Sequence, residues 1–203
     1  MVFVVDDDEA VRKGLARLLR AAGFAVEAFA SAAEYMDRAA HGGVGCVVLD
    51  VCMPGLDGIG LQTRLAEEGA DLPIIFLTGH GDIPMSVQAM KKGAFDFLTK
   101  PVDEDVLLST VSQALLRHRA ERAVRLEVEE LRARVETLTL REHEVLRCVI
   151  AGARNKQIAY YLGIAEHTVK IHRGRIMKKL GLTIVADLIK VCQQAGIEPT
   201  TVP

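Results

Sequence analysis

The chain has 203 residues, half of them hydrophobic, and a formal net charge of −2. That is enough for a packed core in one large domain or two small ones, and no apolar run approaches the roughly 18 residues of a membrane helix. The four cysteines, Cys46, Cys52, Cys148 and Cys192, show neither metal-ligand spacing nor a paired framework, which excludes a disulfide scaffold and fits a reducing cytosol. A first strand that begins at Val2 leaves no room for a signal peptide, so a cytoplasmic protein with no membrane association is expected. The small net charge hides a split: residues 1–103 sum to −6, residues 104–136 to −1 and residues 137–203 to +5. An acidic front and a basic back suggest two modules, the second suited to a polyanion.

Val2 to Val5 reads as a short buried strand, followed at once by Asp6-Asp7-Asp8-Glu9. Val11, Leu15, Leu18 and Leu19 then fall at helical spacing, and Gly23 stops that helix. Ala25 to Phe29 predicts a second strand, and Ser31 caps a helix reaching about Ala40. Val44 to Leu49 is a run of strand formers buried on both faces, ending in Asp50 and the loop Val51-Cys52-Met53-Pro54-Gly55-Leu56-Asp57-Gly58. Ile59 to Glu68 predicts a helix, Leu72 to Leu77 a fourth strand ending in Thr78-Gly79. Pro84 to Lys92 predicts a helix with proline in its first turn and Gly93 just beyond its end. Phe95 to Leu98 is a fifth strand, ending in Thr99-Lys100-Pro101. Strands alternating with helices at this interval predict an α/β fold with a doubly wound, five-stranded parallel sheet.

In such sheets ligands gather at the carboxyl ends of the strands. There the pattern delivers Asp6 and Asp7, Asp50, Thr78 and Lys100. Three carboxylates on one edge repel one another and raise at least one pKa unless a cation sits among them. Mg²⁺ suits the cluster, because it takes one or two carboxylates and keeps water or phosphate oxygens as its other ligands. A carboxylate can also accept a phosphoryl group as nucleophile, with the metal, a hydroxyl and an ammonium neutralising the oxygens in transit.

Residues 1–118 resemble the receiver domain of a two-component response regulator. The matching pieces are Val4-Val5-Asp6-Asp7, Leu49-Asp50 with Met53-Pro54 and Gly58, Thr78-Gly79, and Lys100-Pro101. The resemblance implies a flavodoxin-like fold in which Asp50 is the phosphoacceptor. It implies Mg²⁺ bound by Asp7, Asp50 and the Cys52 backbone carbonyl, with Asp6 acting mostly through water, and a phosphoryl group held by Thr78 and Lys100. It makes Thr78 and Phe97 the switch pair and the bond before Pro101 cis. The same residues have plainer readings: Asp6 to Asp8 as caps of the first helix, Asp8 above all; Thr78 as a strand terminus; Lys100 as a solvated charge; Phe97 as a core aromatic. His80 lies near enough to Thr78 to influence the lifetime of an aspartyl phosphate, or is an ordinary loop histidine.

From about Asp103 a long helix is expected. Val106, Leu107, Val111 and Leu115 fit packing on the sheet. Val124, Val128, Leu131, Val135 and Leu138 follow at 4, 3, 4, 3 spacing through a linker taken as 119–138. Two heptads are too few to separate a coiled coil from a helix packed on its own chain.

A capping box, Thr139 with Glu142, opens the last module, 139–203. Helices are predicted to about Ala151, from Lys156 to Leu162 with Asn155 as cap, from Glu166 to Leu180, and from Val185 to Ala195. Two short helices joined by a tight glycine turn at Gly163 are a helix-turn-helix layout. The third of these helices carries Lys170, Arg173, Arg175, Lys178 and Lys179, with Val169, Ile176, Met177 and Leu180 facing the core. The segment resembles the LuxR-type helix-turn-helix of the NarL/FixJ response regulators, through Leu140, Glu142, Glu144-Val145-Leu146, Gly152, Asn155-Lys156, Ile158-Ala159, Leu162, Thr168-Val169-Lys170, His172-Arg173, Ile176-Met177 and Lys179-Leu180. That resemblance places Lys170 and Ile171 at base edges in the major groove, and Asn155, Lys156, Thr168, Arg173 and Lys178 near phosphates. Gly174 departs from it, since relatives often carry a longer side chain there. Val185, Leu188, Ile189 and Cys192 would form a dimer contact on DNA or serve as core. The front half is similar to the FixJ subgroup, through Asp6 to Leu15 and Thr78 to Met85.

Together the resemblances imply a transcription regulator that a sensor histidine kinase switches by phosphorylating Asp50. They imply a homodimer on double-stranded DNA, with RNA polymerase as a further partner and activation as the family habit. Catalysis would be confined to Mg²⁺-dependent self-phosphorylation and autodephosphorylation. Two alternatives stay open: a DNA-binding regulator independent of phosphorylation, or with a receiver used only for protein docking, and a phosphatase with an aspartyl nucleophile. The phosphatase is disfavoured because Cys52 stands where a general acid is needed.

Overall fold

The computed structural model describes residues 1–38, 41–79 and 83–200. Its contacts divide into two compact units, 1–122 and 123–203. The first unit runs β1 (Val2–Val5), α1 (Glu9–Ala21), β2 (Val26–Phe29), α2 (Ala32–Met36), β3 (Cys46–Asp50), α3 (Gly58–Glu67), β4 (Ile74–Thr78), α4 (Ile83–Lys91) and β5 (Asp96–Thr99). It closes with the first half of α5 (Glu104–Glu136), whose residues fall in both units.

All four strand pairings are parallel, in the order β2-β1-β3-β4-β5. The order reverses beside β1, so the ends of β1 and β3 flank the crevice in which such sheets bind ligands. Strand alternation explains the two cores. Phe3, Val5, Val47, Leu49 and Phe76 pack on one side with Tyr35, Leu61, Leu65 and Ala89 from α2, α3 and α4. Val2, Val4, Val48, Ile75 and Leu77 pack on the other with Leu15 and Leu19 of α1 and Leu107, Val111 and Ala114 of α5. Each fully buried large side chain stabilises the fold by about 1.5–3 kcal/mol. Buried His118 of α5 accepts from the Gly45 amide through Nδ1 (3.1 Å), which leaves its proton on Nε2, 3.3 Å from Asp71.

Caps fall largely as expected. Asp8 accepts from the amides of Ala10 and Val11 (2.8 and 3.1 Å) and so caps α1. Ser31 accepts from Glu34 N, but α2 ends at Met36, well short of Ala40. β3 and β4 each extend one residue further than the apolar pattern, so Asp50 and Thr78 are themselves the last strand residues.

The second unit contains the end of α5, then α6 (Leu140–Ile150), α7 (Asn155–Leu162), α8 (Glu166–Leu180) and α9 (Val185–Gln194). Its core joins Leu131, Val135 and Leu138 to Val145, Leu146, Ile158, Val169, Ile176, Leu180, Leu188 and Cys192. The 4-3 stripe is therefore divided: its last three residues are intramolecular core, while Val124 is 55% exposed. Arginines of α5 tighten this packing. Arg134 donates to the Leu180 carbonyl at the end of α8 (3.0 Å) and Arg132 to that of Ala195 (3.2 Å), satisfying carbonyls that helix termini leave open.

The expected capping box is present: Thr139 Oγ1 accepts from Glu142 N (3.2 Å) and Glu142 Oε2 from Thr139 N (2.9 Å). Buried Glu142 also takes Lys179 Nζ at 2.6 Å. Lys179 and then the Thr139 amide hold its carboxyl down at about 2. A carboxyl depressed in the folded state adds stability above its ordinary value of 4.5, and that stability is lost as pH falls towards 2. Glu142→Gln is expected to cost about 1–3 kcal/mol at neutral pH and to flatten this acid limb. Denaturant melts from pH 6 to 2.5 check it; an unchanged acid limb in the variant would refute the assignment.

Candidate phosphoacceptor site and candidate nucleic-acid interface

The carboxyl edge of the sheet gathers the acids. One carboxylate oxygen from each of Asp6, Asp7 and Asp50 lies within 4.8 Å of the other two. Asp6 and Asp50 are buried and Asp7 is exposed. Lys100 Nζ reaches Asp6 Oδ2 at 2.7 Å and Asp50 Oδ1 at 3.1 Å. The second Asp6 oxygen accepts from the Asp8 amide (3.0 Å). The backbone fixes these partners: Val51 N donates to Leu77 O (3.1 Å), and Lys100 N to Thr78 O (2.7 Å), so the ends of β3, β4 and β5 are laced together. The Lys100–Pro101 bond is cis, as expected.

Burial pushes the Asp50 carboxyl above its usual range. Asp6 and Asp7 push the same way, and Lys100 opposes them through a hydrogen bond and its charge. Burial lowers Lys100, but its bonds to Asp6 and Asp50 outweigh that and leave it raised. Three carboxylates against one ammonium leave a formal −2, the charge that one divalent cation cancels. Oxygen donors of this kind, some buried and one open to water, fit Mg²⁺.

Thr78 is fully buried. Phe97 is half-buried, its ring 6.1 Å from that of Phe76. Phe76 pairs with Phe97 and Thr78 with Thr99, so Phe97 and Thr78 belong to one face of the sheet. Cys52 is exposed. His80 lies outside the described residues.

Two features of the site escaped the sequence pattern. Arg12 of α1 donates to the carbonyls of Asp6 and Asp7 (2.7 and 3.2 Å) and so pins the acidic loop; its i+5/i+6 reach leaves no periodic signal. Gly58 was visible in the motif but not its purpose: a Cβ there would stand 2.3 Å from the Asp50 carbonyl oxygen.

In the second unit the outward side of α8 carries Lys170, Ile171, Gly174, Arg175 and Lys178, all exposed, while Val169, Ile176 and Leu180 are buried. Lys156 is exposed on α7, and Thr168 is half-buried. Asn155 departs from expectation. It is the first helical residue rather than the cap, and the Arg154 amide is taken by Gln157 Oε1 (3.0 Å). Its own Oδ1 accepts from Arg173 Nη1 (3.0 Å), because the guanidinium of α8 lies within reach. Lys179 is likewise turned inward to Glu142 and the Thr137 carbonyl. The α9 residues separate: Leu188 and Cys192 are core, whereas Val185 is exposed and Ile189 half-buried.

Residues 2–112 match the response regulator receiver domain family, and residues 136–192 the luxR family of bacterial regulatory proteins. The chain is 47% identical to nodulation protein W of Bradyrhizobium diazoefficiens over 97% of its length and 87% of that protein's. It is 40% identical to the transcriptional regulatory protein FixJ of Azorhizobium caulinodans over 98% of this chain and 94% of the relative. Among solved structures it resembles the response regulator StyR with a TM-score of 0.85 at 47% identity, covering 95% of this chain and 98% of that one. Full-length FixJ from B. japonicum gives 0.58 at 38% identity, with 97% of each chain covered. The chain belongs to the two-component response regulators in which a receiver domain is joined to a LuxR-type DNA-binding domain.

Proposed function

We propose that Asp50 is the phosphoacceptor of this response regulator and that its phosphorylation drives a receiver dimer onto DNA. The reading takes 1–118 as receiver, 119–138 as linker and 139–203 as DNA-binding domain. The observation that carries it is the convergence of Asp6, Asp7, Asp50 and Lys100 at the β1/β3 crevice. An Asp50 oxygen attacks the phosphorus of a phosphohistidine on the kinase; the new P–O bond forms as the P–N bond breaks, and the ring, already protonated on its other nitrogen, takes the P–N electron pair and leaves as neutral imidazole. Asp6, Asp7, Asp50 and the Cys52 carbonyl would hold Mg²⁺, which neutralises phosphoryl oxygens when bound. Lys100 then exchanges a carboxylate oxygen for a phosphoryl oxygen, and Thr78 donates its hydroxyl to another.

Drawing Thr78 towards the phosphoryl group frees space on the face it shares with Phe97, and the ring follows. The neighbouring α4–β5–α5 surface exposes Val87, Met90 and Val106, apolar side chains suited to pairing with a second receiver. Lys170 and Ile171 would read base edges, with Asn155, Lys156, Thr168, Arg173 and Lys178 near phosphates. The Asn155–Arg173 bond supports a positioning role, since it presets the guanidinium. RNA polymerase is the further partner of a regulator that activates. No helix among the described residues is long and apolar enough to cross a membrane, and a cytoplasmic location suits a DNA-binding protein.

Light scattering of the full chain with Mg²⁺, before and after beryllofluoride, tests the switch. A monomer that becomes a dimer is expected. An unchanged mass would remove dimerisation from the mechanism.

A further inference from the structure

The proposed recognition helix, α8, holds a glycine that no contact among the described residues requires. Gly174 is exposed in the interior of α8, its φ is not positive, and a Cβ built on it would meet no atom of the described residues within 4 Å beyond the helix's own neighbouring backbone. The other glycines of this unit explain themselves: Gly152, Gly163, Gly181 and Gly196 have positive φ where helices end. A glycine inside a helix costs about 1 kcal/mol relative to alanine, so Gly174 weakens α8 with no return among the described residues. Gly14 in α1 is equally open and exposed; an unconstrained helical glycine is therefore not a signal by itself.

Its surroundings supply the second observation. Gly174 comes one turn after Ile171 and one turn before Lys178, on the same face of α8. Ile171 is 41% exposed, a β-branched apolar side chain beside bare backbone. Lys170, which lies 3.8 Å from Glu166, surrounds this apolar step together with Arg175 and Lys178, whose side chains make no ion pair or hydrogen bond among the described residues. The remaining cations of α8, Arg173 and Lys179, are held by Asn155 and Glu142. The outward face is thus a shallow apolar notch in a cationic frame.

The geometry points to Gly174 as a specificity-determining position: it lets the α8 backbone approach the floor of the major groove, where a thymine C5-methyl seats between Ile171 and the bare helix. This rests on α8 being the recognition helix. The thymine C5-methyl is the only methyl group that unmodified base pairs present in that groove, and the phosphates on either side match the cations. A side chain at 174 would hold the helix away from the bases, as a longer polar one would while making its own contact.

The test uses the full chain with Mg²⁺ and beryllofluoride. A site is selected from a random duplex pool, and each thymine is then replaced singly by deoxyuridine, which keeps O4 and lacks the methyl. Wild-type binding is expected to fall about three- to tenfold at one thymine in each half-site. Gly174→Ala should bind the selected duplex about tenfold or more weakly, lose its sensitivity to deoxyuridine there, and melt higher than wild type. Gly14→Ala, with the same propensity gain, should leave DNA binding unchanged. A Gly174→Ala protein with wild-type affinity and deoxyuridine response would overturn the inference. A wild type that enriches no sequence at all would instead overturn the reading of α8 as a recognition helix.

Discussion

Asp50→Asn is expected to reduce phosphoryl incorporation from a small-molecule donor by at least about a thousandfold, because a neutral amide is a far poorer nucleophile than a carboxylate. Beryllofluoride should no longer change the mass or DNA affinity of the chain. The fold should survive, and in the absence of metal it should gain. Asp50 is pushed above the usual carboxylate range by burial and by Asp6 and Asp7, so its ionised form opposes folding. The sign follows from proton linkage: the folded state holds its proton to higher pH than the unfolded state, so stability falls as pH rises from the ordinary value of 3.8 through the raised one. Asp50→Asn removes that loss and should melt higher than wild type at pH 7 without metal. Mg²⁺ should narrow the difference, because it stabilises the wild type by binding the folded carboxylates.

Phosphate incorporation, melting curves with and without Mg²⁺, and footprinting of the two proteins decide the matter together. A variant that incorporates phosphate at the wild-type rate would move the phosphoacceptor elsewhere. A variant that loses incorporation yet keeps donor-dependent footprinting would separate Asp50 from the switch. The combination expected, higher stability with lost response, is the pattern of a site where repulsion is kept for function.

What the sequence made legible here follows from the range of each interaction. Strand runs such as Val47-Val48-Leu49 and the caps at Asp8, Ser31 and Thr139 are local, and they were readable with shifts of a residue or two. The acid set was readable because parallel strands all end on one edge, so Asp6, Asp50, Thr78 and Lys100 could be brought together without knowing any packing. Contacts that depend on how elements face each other were not. Asn155 looks like a cap by composition, yet Arg173, 18 residues on, claims its side chain. Lys179 looks like one more cation for DNA, yet it neutralises Glu142. The stripe from Val124 to Leu138 has a single period, but only its later part meets a core, and periodicity cannot say which part does. Arg12 and His118 act on backbone groups, which leave no trace in side-chain pattern.

Gly58→Ala should damage both the fold and the chemistry, and it shows why a loop residue with no functional group belongs to the site. Gly58 N donates to the Val51 carbonyl at 3.0 Å, closing the loop that follows β3, and α3 starts at this residue. An added Cβ would lie 2.3 Å from the Asp50 carbonyl oxygen, 3.0 Å from Val51 Cα and 3.1 Å from Phe76 Cε1. Two of those neighbours are backbone, so relief requires α3 to retreat or the end of β3 to shift. We expect a loss of about 3 kcal/mol, at the upper end for overpacking because no rotamer can give way. In the fraction that folds, an Asp50 carboxylate displaced by about 1 Å should accept phosphate on the order of a hundredfold more slowly. Gly60→Ala is the comparison: its Cβ meets side chains alone, the flexible end of Leu56 at 2.7 Å and the capping Asp57 Oδ1 at 3.1 Å, and α3 gains helix propensity, so stability should change by less than about 1 kcal/mol and phosphorylation should persist. Urea titrations of the two variants, with phosphorylation rates measured on the folded protein, make the contrast. Equal stability for both would mean that the β3–α3 loop is loose enough to accept a methyl group beneath the phosphoacceptor, and that the site's precision comes from the Lys100 and Thr78 side of the crevice alone.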